Sequence, residues 1–149
     1  MGLFSNLMGR GLDAEVDKST AVMIPMVAAM AADGNIDDDE IAQIRSICVW
    51  SPIYATNSRD QDTQIILRAL RLVGDHGAEA ACTKAAEVLS PALRETSFCF
   101  AARIVFADEH VGLREQKFLE DLIPLLGLDA GRARQIVEVV SIMQHPLNA

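Results

Sequence analysis

The sequence predicts an all-α bundle. Three observations carry that prediction. Apolar residues recur at i, i+3 and i+4 across most of the chain, and no stretch alternates as a half-buried strand would. The periodic segments are punctuated by helix signals: acids and hydroxyls at starts, glycine and proline at ends. Half of the residues are apolar but only 5% are aromatic, so the core must be filled by Ala, Leu, Ile, Val and Met. At 149 residues the chain suffices for one domain with a substantial core.

Taken in order, Ser19 or Thr20 can cap a first helix reaching about Ala32 and carrying Val22, Met23, Met26, Val27 and Met30. Pro25 should kink it or mark a fresh start. After an acidic turn, Asp37 caps a second helix with Glu40 three residues on, a capping-box spacing. Ile41, Ile44, Ile47 and Cys48 share its inner face, and Pro52 closes it. The polar stretch SPIYATNSRDQD reads as the longest loop and an internal boundary. A third helix spans about Asp62 to Val73, with Ile66, Leu70 and Val73 inward, and Gly74, Asp75 and Gly77 break it. A fourth runs from Ala78 to Leu89. Ser90 and Pro91 open a fifth, a cap with proline at the first helical position, which should reach Ala107. The sixth covers Leu113 to Leu126 and stops at Gly127. Asp129 caps the last, with Ala133, Ile136, Val137, Val140 and Met143, before Pro146. The domain is expected over residues 18–145, and residues 1–17 as an arm or short helix.

Several function classes are disfavoured. The net charge of −8 and the lack of a basic cluster argue against nucleic acid and against an anionic membrane surface. No apolar run is long enough to span a bilayer. The N-terminus lacks a basic region, and Ser5, Asn6, Gly9 and Gly11 interrupt its apolar residues, so a secretory signal is not expected. Leu3, Phe4, Leu7 and Met8 leave a short amphipathic helix, a loose arm or weak surface attachment open. Cys48, Cys82 and Cys99 show no paired spacing and read as reduced core residues of a cytoplasmic protein. No nucleophile–base motif, phosphate-cradling glycine loop or paired-histidine zinc pattern is present, so no enzyme is expected.

The most informative feature is a repeat. Ala32-Asp33-Gly34-Asn35-Ile36, with Glu40, Ile44 and Ile47, aligns with Ala107-Asp108-Glu109-His110-Val111, with Glu115, Leu119 and Leu122. The repeated blocks lie near 19–50 and 91–126. Asp33 and Asp108 each follow a helix, where a carboxylate is unfavourable by about 0.3–1 kcal/mol. Main-chain amides of the turn could compensate, and so could a cation. Glu40 and Glu115 are at home in a first helical turn. If the two turns face each other, their carboxylates, with Asp37, Asp38, Asp39 and Glu109 nearby, form an oxygen-rich nest suited to Ca²⁺ or Mg²⁺. An EF-hand is excluded: counting from Asp33, position six is Asp38 rather than Gly and position twelve is Ile44 rather than Glu.

The doubled block, Ala32 to Glu40 and Ala107 to Glu115, resembles the TerB tellurite-resistance family, with likeness from about Ser19 to Met143. The resemblance implies a compact bundle of about seven helices in two related halves, in an intracellular bacterial protein encoded with other stress-resistance factors. It implies divalent metal binding, calcium above all, with Asp33, Glu40, Asp108 and Glu115 as site residues and Asp37 as a weaker one, since its counterpart is Gly112. It also implies a membrane-embedded TerC-type protein partner, which would recruit the chain to the inner face of the membrane. The second block departs from the pattern at Glu109, His110 and Gly112, and His110 reads either as a turn residue or as a ligand for a softer ion. The expected function is a non-enzymatic, cation-binding module for stress from toxic oxyanions. The alternative is a metal-independent interaction scaffold with acidic recognition turns.

Overall fold

A computed structural model describes residues 16–31, 35–107 and 111–149. The described residues form seven helices and no strand. They are α1 (Lys18–Met30), α2 (Asp38–Cys48), α3 (Arg59–His76), α4 (Ala78–Val88), α5 (Pro91–Val105), α6 (Leu113–Leu125) and α7 (Ala130–Met143). The arm expected over residues 1–17 lies almost wholly outside them.

α1 is the axle of the bundle. Every residue from Thr20 to Ala28 is buried, as a helix apolar all round must be, and α5, α3 and α4 pack about it. Its cap is Asp17 rather than Ser19 or Thr20: the carboxylate accepts from Thr20 N–H at 2.8 Å and from the Ser19 hydroxyl at 3.1 Å. The helix continues through Pro25. Proline has no N–H to give the Ala21 carbonyl one turn back, and the dense apolar packing holds the helix together across that missing bond.

The loop after α2 is shorter and better packed than its polarity suggests. Ser58 caps α3, accepting from Gln61 N–H at 3.1 Å, while Gln61 Oε1 accepts from Ser58 N–H at 2.7 Å. This reciprocal capping box starts α3 at Arg59, so the polar run read as loop is the exposed first turn of a helix. Tyr54 is buried, and its hydroxyl donates to the Ser19 carbonyl at 2.7 Å, tying the loop to α1. α3 runs past Gly74 and ends at Gly77, whose φ of +86° suits a residue without Cβ. Arg94 Nε donates to the Ala86 and Leu89 carbonyls at 2.8 and 3.1 Å, fastening α5 to the end of α4. Ala133 and Val140 of α7 are buried, whereas Met143 is exposed.

The repeat is visible in three dimensions. α2 and α6 begin 75 residues apart, at Asp38 and Leu113. Ile44 and Ile47 are buried, as are their counterparts Leu119 and Leu122. Ser97 is the counterpart of Val22, and its buried hydroxyl donates to the Val22 carbonyl at 2.9 Å.

The cysteines are free. Burial pushes the Cys48 and Cys82 thiols up to about 12 and raises that of Cys99. They stay protonated at neutral pH and fill space in the core rather than act as nucleophiles.

Candidate functional site

Two turns build the candidate site, one leading into α2 and one into α6. The first is organised by its own main chain. Asp37 caps α2, its Oδ1 accepting from Glu40 N–H at 2.7 Å, and Glu40 Oε1 accepts in return from Asp37 N–H at 3.4 Å. Asp38, Asp39 and Glu40 crowd the first turn, where helix amides favour negative charge. Ile36 packs against the core and anchors the strip.

The second turn is built differently. Gly112 occupies the cap position of α6, and no side chain caps the helix. Glu115 folds back so far that a Cβ on Gly112 would collide with its Oε2. Glycine is thus the residue that lets this carboxylate lie over the start of its own helix. Val111, the counterpart of Ile36, likewise packs on the core.

The two turns converge on a cleft of about 470 Å³. Asn35, Asp37 and Glu40 line it from the first half, and Arg114 and Glu115 from the second. Met30 and Ile36 supply its apolar floor. Glu40 and Glu115, counterparts in the repeat, therefore share one cavity. Asp38 and Asp39 are exposed and do not line it. Asp33, Asp108, Glu109 and His110 lie outside the described residues.

Apart from Arg114, the polar side chains facing the cleft bring oxygen: three carboxylates and the Asn35 amide. That donor chemistry fits a hard cation such as Ca²⁺ or Mg²⁺. Among the described residues, no three His, Cys, Asp or Glu side chains stand close enough to hold a metal by themselves. Arg114 is the residue that sequence reasoning overlooked. It occupies the position where the first half has Asp39, and that replacement of acid by base between repeats was the available signal. Its guanidinium places a fixed positive charge at the rim of an acidic cleft.

A family model described as tellurite resistance protein TerB matches residues 19–138. The chain belongs to the TerB family. The matched span runs from the first turn of α1 into α7 and includes both acidic turns. No curated protein and no solved structure matches the chain. TerB domains are all-helical and non-catalytic, and membership makes this chain a module of the tellurite-resistance type. Among the described residues, no helix is long and apolar enough to cross a membrane.

Proposed function

We propose that this TerB domain binds a divalent cation, Ca²⁺ or Mg²⁺, in the cleft between its two acidic turns, and presents the loaded surface to a protein partner. The observation that supports the reading is the convergence of Glu40 and Glu115, from opposite halves, on one cleft. Asp33 and Asp108 would complete the ligand set, with Asp37 holding the first turn in shape. The cation would supply positive charge that Arg114 alone does not balance. The partner is of the membrane-embedded TerC type, which would draw the domain to the inner face of the membrane.

Calorimetric titration of the full chain with Ca²⁺ and Mg²⁺ tests this directly. A cation that binds only the folded state raises stability by about 2.7 kcal/mol at one hundred times its Kd, so the Tm should climb with cation concentration. Glu40→Gln and Glu115→Gln are each expected to weaken binding about tenfold or more. Glutamine at the third helical position still serves a capping box, so the Glu40 variant removes charge without undoing the turn. The absence of heat and of any Tm shift at millimolar Ca²⁺ and Mg²⁺ would end the cation reading.

The capping box favours a second reading. Asp37 and Glu40 already spend hydrogen bonds on their own main chain, which is enough to explain their placement without a metal. On that reading the acidic turns recognise a basic partner surface directly. Capture of a TerC-type partner that persists in excess chelator, yet is lost in Glu40→Gln, would select it over the cation site.

A further inference from the structure

Arg114 is a base set among acids, at a place where little in the fold holds it. It lies in the first turn of α6, where the helix dipole opposes a cation. Among the described residues its side chain makes no hydrogen bond and no ion pair. Its counterpart in the first half, Asp39, is exposed and stays out of the cleft, whereas Arg114 lines it beside Asp37, Glu40 and Glu115. We infer that Arg114 is a built-in counter-ion of the empty cleft, that a divalent cation competes with it for the same carboxylates, and that it thereby sets how tightly the cation is held. The inference rests on the cation reading above.

The reason is electrostatic. Three carboxylates face a cleft of about 470 Å³, and each repels the others. A guanidinium keeps its charge throughout the physiological range, so one in the same cleft offsets part of that repulsion before any ion arrives. The same charge then opposes the ion. Both would stand in one cavity, closer than the screening length of about 10 Å at 0.1 M salt. A unit charge against a divalent ion at about 8 Å in water changes affinity roughly fivefold, and more where water is excluded. The arginine is also free to give way. It is exposed, and a long side chain of this kind can carry its head group outward into water. No hydrogen bond or ion pair to a described residue has to break on the way. A residue that braced Glu40 or Glu115 would be joined to one of them, and Arg114 is joined to neither.

Calorimetric titration of the full chain with Ca²⁺ and Mg²⁺ at low ionic strength tests this, with far-UV circular dichroism confirming that each variant folds. Arg114→Gln removes the charge and should tighten the cation's Kd about fivefold. Arg114→Asp supplies the sign found at position 39 and should tighten it about as much again, and an acid suits a first helical turn. Arg114→Lys keeps the charge and should stay within about twofold of the wild type. The ratio between the wild type and Arg114→Gln should shrink toward one in 1 M KCl, where the screening length falls to about 3 Å. Equal Kd values for these two proteins at low salt would overturn the inference and leave the cation reading standing. Weaker binding by Arg114→Gln would overturn it too, and would make the arginine a support of the site. So would an equal gain in Arg114→Lys, which would trace the effect to shape rather than charge. No cation binding by any of the four proteins at millimolar concentration would remove both readings together.

Discussion

The two acidic turns share a pattern in sequence and a cleft in space, but they are held by different means. In the first, a reciprocal capping box fixes Asp37 and Glu40 to main-chain amides. In the second, Gly112 offers no side chain, and Glu115 lies across the space a Cβ would take. The run Asp37-Asp38-Asp39-Glu40 is matched by Gly112-Leu113-Arg114-Glu115, so the glutamate alone is kept. The difference teaches that a repeat can preserve its apolar anchors and one carboxylate while exchanging the hardware around them. One half is rigidified by its own hydrogen bonds. In the other, the missing side chain of Gly112 leaves room for the carboxylate over the start of the helix.

The largest effects should fall on what the halves have in common. Ile44→Ala and Leu119→Ala each remove a buried anchor at equivalent positions and should each cost about 2–5 kcal/mol, read from urea unfolding midpoints. A much smaller cost on the α6 side would show that the halves are equivalent in sequence without being so in energy.

Capping should separate the turns by a smaller amount. Asp37→Ala is expected to cost about 1 kcal/mol, the usual value of a lost carboxylate cap. Gly112→Ala should cost about 0.5–1 kcal/mol, since glycine caps far better than alanine, and it must also swing Glu115 away from its present position. Hydrogen exchange in the first turn of each helix, followed beside Ca²⁺ titration, resolves the two outcomes. If Gly112→Ala leaves both the exchange and the titration unchanged, the glycine does not position Glu115.

The smallest effect is a pH dependence at the start of α1 that the start of α5 lacks. α1 starts on a carboxylate, Asp17, whereas its counterpart α5 starts on a hydroxyl, Ser90. Burial pushes Asp17 upward, but bonds from Thr20 and Ser19 and the charge of Arg68 outweigh it and hold its carboxyl below the ordinary value. A folded pKa below the unfolded one means that the stabilisation is fully present above the unfolded carboxylate range, about pH 4. It is lost as pH falls through the lowered folded value. Exchange protection at the start of α1 should therefore drop in acid before that of α5, and Asp17→Asn should abolish the difference. Equal acid sensitivity at both starts would refute the contrast.

Helix order and the identity of most starts and stops were written in local chemistry: Asp37 before its capping glutamate, Pro91 after Ser90, Gly127 after Leu126. These signals act over three or four residues, so the sequence displays them openly. The start of α3 was missed because exposed polar residues serve loops and helix surfaces alike, and only the bond between Ser58 and Gln61 tells them apart. Asp17 was missed for a similar reason, since three neighbouring residues could each cap α1. The sequence by itself determined the bundle, the doubled hairpin and the list of acids. Tertiary structure decided that Glu40 and Glu115 line a common cleft and that Arg114 borders it. It also decided that Tyr54 goes inward while Trp50 faces water. Those outcomes depend on how α1 and α5 pack across positions distant in the chain, and no local propensity encodes that geometry.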